Sequence, residues 1–309
     1  MIKRLMTIGC FGLGLLLFLT PNLQADNGPT LLFDLNKDKN LIESEINKAV
    51  PVASISKMMT EYLVLEELEA GTIAWEDTVH ISEAASSKEG ARIDISEGDV
   101  VSVRDLYMAM LLPSANNATT ALAEYIAGSE IAFTDRMNKK AQALGLTNTS
   151  FVNPTGLTEI DKGSNQMSAQ DVALLAKALI NDFPKVLQDT SRSSYTLAYS
   201  NERVHTTNNM LTKPTLAFDG LDGLKTGYTD EAGYCFVGTA ERDGKRYISV
   251  VLGTSHYDSR FMKTQKLFSH AFNQRYVPSL EASIVKWRDV GIALWNESKN
   301  DMIGVYETD

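Results

Sequence analysis

The chain has 309 residues, a net charge of −10 and an apolar fraction of 44%. That length allows one large domain or two smaller ones, and the apolar fraction suffices for a buried core. The acidic balance argues against nucleic acid as a partner, which needs a basic face, and supplies no polybasic patch for a membrane.

The first residues read as a secretory signal. Lys3 and Arg4 form a short positive start, Met6 to Leu19 is apolar, and Leu23-Gln24-Ala25 ends on a small residue before Asp26. The pattern predicts export and cleavage near Ala25, which leaves residues 1–25 outside the fold. A retained membrane anchor is the alternative reading of an apolar run of this length. Cys10 precedes most of that run, the wrong side for a lipoprotein. After cleavage only Cys235 remains, so no internal disulfide forms. It lies in an apolar, strand-like run and reads as a packing residue.

Residues 30–35 read as a strand, 36–40 as a turn, and Leu41-Ile42 begins a return strand. A helix follows from about Ser54 to Gly71. Its Met58, Met59, Tyr62, Leu63, Val64, Leu65 and Leu68 are apolar nearly all round, which predicts a central, buried helix. Residues 98–145 read as helical. One helix runs from Val103 to Leu112 and stops at Pro113, Ser114 to Asn117 makes a corner, and a second helix reaches Ala127. Ser129 caps a third helix, which Gly145 ends. Residues 148–165 form a turn-rich loop holding Asn153-Pro-Thr-Gly-Leu157. Ser168-Ala-Gln-Asp171 resembles a capping box ahead of an apolar helix to Ile180.

Residues 219–254 change character. Leu224-Lys-Thr-Gly-Tyr228 leads into the strand-like run Gly233–Ala240, Asp243-Gly244 makes a hairpin turn, and Arg246–Leu252 returns. Phe261 to Phe272 reads as a closing helix. Strands near both ends with helices between them predict an α+β fold: one antiparallel sheet with an inserted helical region. Beyond Pro278, Ile292–Trp295 and Met302–Tyr306 read as short strands. Residues 26–277 are therefore expected to form the catalytic domain, and 278–309 a short stub that begins a truncated β-rich domain.

Chemistry concentrates in three motifs, in order: Ser54-x-x-Lys57, Ser114-x-Asn116 and Lys225-Thr-Gly227. On a helix, residues three apart share a face, so hydroxyl and amine meet. A serine needs a base to become a nucleophile, and a lysine can be that base once burial or a second cation lowers its pKa. Ser114 is placed to carry a proton between Lys57 and a leaving group, and Asn116 to donate to a substrate amide carbonyl. Lys225 adds positive charge that favours neutral Lys57 and draws a substrate carboxylate, which Thr226 can hydrogen-bond. Gly227 would let a substrate backbone lie close to a strand edge. About one S-x-x-K is expected by chance in a chain this long. Ser283-Ile-Val-Lys286 is such a second copy, and Ser298-Lys-Asn300 repeats the second motif. Both follow Lys225-Thr-Gly227, and Ser283 heads no long buried helix.

With its surroundings, this constellation resembles the serine-type D-alanyl-D-alanine carboxypeptidases, the low-molecular-weight penicillin-binding proteins. The resemblance covers roughly residues 28–275. It includes Ala53–Thr60, Asn153–Leu157 and the more specific stretch Asp222–Cys235. It implies the serine β-lactamase/penicillin-binding-protein-like fold and removal of the terminal D-alanine from peptidoglycan stem pentapeptides ending in D-Ala-D-Ala. β-Lactam antibiotics would be covalent inhibitors. It also implies an oxyanion hole from the backbone N–H groups of Ser54 and Tyr228, and an Arg260 that helps hold the terminal carboxylate. A surface salt bridge is the bland alternative for Arg260. Tyr228 stands where the family often has histidine, a change of little weight if only the N–H is used. The family usually carries a full second β-domain and a C-terminal amphipathic helix on the membrane, and this sequence shows neither. The N-terminal signal sets the expected place as the periplasm, or the outer face of the cytoplasmic membrane or cell wall.

A class A-like β-lactamase shares the motifs but uses a glutamate for deacylation. No Glu-x-x-Leu-Asn lies between the second and third motifs, and Glu159 is the nearest acid. A silent wall-binding protein need not keep every candidate catalytic residue, as this chain does. His80, His205, His256 and His270 show no ligand spacing, so neither metal nor other cofactor is expected.

Overall fold

A computed structural model describes residues 28–276. The expected signal, the expected C-terminal stub and the second motif copies at Ser283 and Ser298 lie outside the described residues. Five strands build the central sheet: β1 (Thr30–Asp34), β2 (Lys39–Ser44), β3 (Leu221–Thr229), β4 (Gly233–Arg242) and β5 (Lys245–Thr254). They lie in the order β2-β1-β5-β4-β3, each neighbouring pair antiparallel. The two ends of the domain meet where Thr30 of β1 pairs with Val251 of β5. Asp243 and Gly244 both have positive φ, as the tight turn between β4 and β5 requires.

The longer helices are α1 (Lys57–Ala70), α2 (Val103–Leu111), α3 (Asn116–Ala127), α4 (Glu130–Ala143), α5 (Ala169–Asp182) and α6 (Ser259–Ala271). They explain why the strands read as continuous apolar runs: the sheet is covered on both faces. Leu31, Phe33, Val237, Ile248 and Val250 pack with Met58, Met59 and Leu63 of α1 and Val172 and Leu179 of α5. On the other face, Leu32, Phe236 and Val251 pack with Phe261 and Phe268 of α6. Each such aliphatic or aromatic side chain contributes about 1.5–3 kcal/mol by its burial. A second core joins Val64 of α1 to Leu106 and Tyr107 of α2 and Leu122 of α3. With cores on two sides, α1 is apolar nearly all round.

The expected helix signals have local explanations. Gly71 takes a left-handed conformation after α1, and Ser102, Ser129 and Ser168 cap α2, α4 and α5 by accepting a backbone N–H. The capping box at Ser168 is one-sided. Ser168 accepts from Asp171 N–H, but the Asp171 carboxylate turns instead to Asn148 N–H and the Thr149 hydroxyl. The helical reading of 98–145 also needs correction at its start, where Val100–Ser102 pairs with Thr78–His80 as a short ribbon. The closing helix starts at Ser259, so Arg260 lies in its first turn.

Candidate active site

Ser54 lies in a one-turn 3-10 helix, Ala53–Ser56, that runs into α1. The turn is held from two sides. Gly156, at φ +86°, presses its α-carbon against the Ala53 carbonyl, where an added Cβ would sit 2.1 Å from that oxygen. On the sheet side, Gly227 of β3 approaches the same turn, and a Cβ there would lie 2.7 Å from the Val52 oxygen and 3.1 Å from the Ile55 nitrogen. The close approach that Gly227 permits is thus with the chain's own nucleophile turn. It joins the edge strand β3 to the start of α1.

Lys57 is buried, 1% exposed, and its Nζ sits among three oxygens. It is 2.8 Å from Ser54 Oγ, 2.7 Å from Asn116 Oδ1 and 2.6 Å from the Thr155 carbonyl. Asn116 cannot turn over, because its Nδ2 donates to the Glu89 carbonyl at 2.7 Å. Thr155 is held as firmly. Asn153 Oδ1 accepts the Thr155 and Gly156 N–H groups, and Asn165 clamps Val152 and Asn153. A neutral amine has two hydrogens and one lone pair. The hydrogens satisfy Asn116 and Thr155, whose oxygens only accept, and the lone pair is left for the Ser54 hydroxyl. Burial lowers the Lys57 pKa well below its ordinary value, and the Lys225 cation lowers it further.

Ser114 turns left-handed, φ 65°, in the corner between α2 and α3. Its Oγ accepts from Lys225 Nζ at 2.9 Å, so its closest tie is to Lys225 and not to Lys57. Thr226 shares a 2.6 Å hydrogen bond with the Thr207 hydroxyl. Burial brings the Lys225 amine down to about 7, opposed by Glu61 and helped by Arg260. Lys225 is therefore poised near neutrality, not the fixed cation its sequence role suggests. Tyr228 is exposed, stacked on Tyr234 at 4.3 Å, with its hydroxyl donating to Asp230.

Arg260 is 2% exposed, which rules out the surface salt bridge. One of its terminal nitrogens donates to the Gly227 carbonyl at 3.0 Å and to Cys235 O at 3.3 Å. Tyr257 and Phe261 cover the guanidinium, each 4.7 Å away. The arginine braces β3 beside Lys225-Thr226-Gly227. Cys235 is buried in β4 with its thiol pushed up to about 11 by burial, as a packing residue should be. Glu159 pairs with Lys162 at 2.8 Å on the rim of a cavity beside Asn153, away from Lys57.

Four contributors were not assigned a role from the sequence. The Thr155 carbonyl belongs to the Asn153–Leu157 stretch already singled out, but it and the Glu89 carbonyl are backbone groups, and Thr207 comes from a stretch with no motif. The fourth is Glu61, one turn after Lys57, which is 2% exposed and accepts from Tyr107 Oη at 2.9 Å. Burial raises its carboxyl to about 8, against the pull of the Tyr107 bond and Lys225. Its buried neighbours on the helix were legible, but a lone Glu among them was not.

A sheet flanked by helices, with a serine and a buried lysine at the head of the central helix and a second lysine on the edge strand, defines a serine acyltransfer enzyme. The chain belongs to the D-alanyl-D-alanine carboxypeptidase family, peptidase S11, whose profile matches residues 19–256. It is 35% identical to D-alanyl-D-alanine carboxypeptidase DacF of Bacillus subtilis, over 88% of this chain and 72% of that one. It is 36% identical to DacC of Escherichia coli, over 78% of this chain and 60% of that one. Among solved structures it resembles penicillin-binding protein D2 of Listeria monocytogenes in its ampicillin-bound form. The TM-score is 0.73 and the identity 37%, over 82% of this chain and all of that one. The carboxypeptidase DacD of Francisella tularensis gives a TM-score of 0.74 at 33% identity, over 81% of this chain and 71% of that one.

Proposed function

We propose that the protein is an exported D-Ala-D-Ala carboxypeptidase that trims peptidoglycan stem pentapeptides and is acylated by β-lactams. The observation that carries this reading is the buried Lys57 amine, 2.8 Å from Ser54 Oγ and held in place by the Asn116 and Thr155 oxygens. Lys57 takes the Ser54 proton as Oγ bonds to the penultimate carbonyl carbon. The Ser54 and Tyr228 N–H groups stabilise the oxyanion. The C–N bond to D-alanine then breaks, and the proton that Lys57 took passes to the leaving amine, with Ser114 as the carrier between Lys57 and the leaving group. Lys225 and Thr226 receive the terminal carboxylate, supported by Arg260, and Asn116 meets the substrate amide. Water hydrolyses the acyl-enzyme. Family relatives that bind penicillins support this course, as does the ampicillin-bound Listeria structure. Among the described residues no helix is long and apolar enough to cross a membrane.

Intact mass and peptide mapping after treatment with a penicillin test the assignment, beside D-alanine release from a stem pentapeptide. The adduct is expected on Ser54 and absent from Ser54→Ala. An adduct on Ser283, or acylation without D-alanine release, overturns the reading in whole or in its substrate.

A further inference from the structure

Residues 206–213 carry no motif, yet they touch three parts of the site. The Thr207 N–H donates to the Leu112 carbonyl at 3.1 Å, just past α2 and two residues before Ser114. The Thr207 hydroxyl lies 2.6 Å from the Thr226 hydroxyl on β3. Asn209 and Lys213 each reach the Asp258 carboxylate at 3.4 Å, two residues before Arg260. Met210 is buried with Phe261 and Phe268 of α6. The segment is thus a strap, anchored at both ends, that fixes Thr207 between the second motif and the third.

We propose that Thr207 is a positioning residue for the substrate's terminal carboxylate: its hydroxyl donates to Thr226 and so leaves the Thr226 proton for the anion. A hydroxyl has one proton to give and can accept twice. Two hydroxyls in contact use one proton between them, and the other is left over. If Thr226 donates, the leftover proton belongs to Thr207 and turns to the Leu112 carbonyl. That contact is 3.4 Å, beyond the usual range for a hydroxyl donor. If Thr207 donates, the leftover proton belongs to Thr226, next to Lys225. A carboxylate only accepts, so its arrival selects the second arrangement.

The exchange costs little and gains a strong bond. The Leu112 carbonyl keeps the Thr207 N–H when the long hydroxyl contact is given up. In return the Thr226 proton makes a charge-assisted bond to the anion. The 2.6 Å bond from Thr207 polarises the very hydroxyl that holds the carboxylate, and hydrogen bonds in series strengthen one another. Thr226 is 5% exposed, so bulk water is a poor substitute for Thr207 as its donor. A valine at 207 has nearly the shape of threonine but no proton to give.

The inference rests on the proposed reading that Lys225 and Thr226 receive the carboxylate. The test is the ratio of acylation rate constants for a penicillin and its methyl ester, measured beside D-alanine release from a D-Ala-D-Ala peptide. In Thr207→Val the acid-to-ester ratio is expected to fall by roughly threefold to tenfold, the effect of one hydrogen bond. Thr207→Ser keeps the hydroxyl and restores the ratio. Thr226→Val lowers the ratio too, and adding Thr207→Val to it lowers the ratio no further, because Thr207 acts through Thr226. Thr207→Ala, which keeps the backbone tie to Leu112, decides the matter if the valine variant does not fold. An unchanged ratio, with acid and ester rates lost equally, leaves Thr207 a structural strap and overturns the proposal. An additive double variant overturns it as well. A wild type with no preference for the acid overturns the carboxylate reading and this inference with it. The penicillin pair decides the role of Thr207 even where the wild type releases no D-alanine, so the two failures are told apart.

Discussion

Asn116 Oδ1 accepts from Lys57 Nζ at 2.7 Å, across 59 residues of sequence. The contact orients the amine without charging it, because an amide oxygen carries only a partial charge. A carboxylate in the same place would do the opposite. Asn116→Asp is expected to raise the Lys57 pKa, hold the amine as ammonium and block its use as a base. At neutral pH acylation by a penicillin should fall by roughly a hundredfold or more. The loss should shrink as pH rises and the amine is freed. A pH-independent defect would mean that Asn116 matters only through the substrate amide.

The wild-type pH profile follows from the same two lysines. Lys57 works deprotonated, so kcat/KM rises with pH through its lowered pKa. Lys225 works protonated, so kcat/KM falls as the free enzyme passes about 7. A bound carboxylate beside Lys225 favours its charged form. The alkaline limb of kcat should therefore lie at higher pH than that of kcat/KM, since kcat reports the complex. Rates on a D-Ala-D-Ala peptide across the pH range decide this. Coincident alkaline limbs would show that Lys225 does not meet the carboxylate.

The three motifs were legible because each is local. Ser54 and Lys57 sit one helical turn apart, Ser114 and Asn116 share one corner, and Lys225, Thr226 and Gly227 are consecutive on one strand. The sheet was legible because runs such as Val250-Val251-Leu252 are apolar without alternation. What could not be read is what tertiary contact supplies. A carbonyl such as Thr155 O has no side-chain signature. Thr207 lies beyond the small ribbon Ser194–Thr196 with Arg203–His205, in a stretch too short and polar to assign. Arg260 was placed correctly after the last strand, but its burial under Tyr257 and Phe261 depends on how α6 packs on the sheet.

Gly227 tests the join between the edge strand and the nucleophile. Its Cβ position is blocked by backbone atoms, Val52 O at 2.7 Å and Ile55 N at 3.1 Å, neither of which can swing aside. In Gly227→Ala the strand and the Ser54 turn must separate. A displacement of about 1 Å can cost a hundredfold in rate. Acylation is expected to fall on that order, with a lower melting temperature. A variant with normal acylation would show that the turn tolerates the shift and that Gly227 is not needed for the approach.

Arg260 unites support and charge, and its replacement should show both. Arg260→Ala removes donors to the Gly227 and Cys235 carbonyls and opens a void under Tyr257 and Phe261. Lost charged hydrogen bonds and lost packing together should cost about 2–4 kcal/mol. In a chain this long that lowers the melting temperature by roughly 5–10 °C. Activity should fall on every substrate, because β3 carries Lys225 and Thr226 and is no longer braced. It should fall further on a peptide with a free terminal carboxylate than on its amide, by roughly another tenfold if the buried charge also draws the anion. Arg260→Lys keeps the charge but not the planar fork, so it should recover the carboxylate preference more than the stability. Melting curves and kcat/KM on the paired peptides separate the parts. An unchanged melting temperature would remove the brace, and equal losses on acid and amide would remove the carboxylate role.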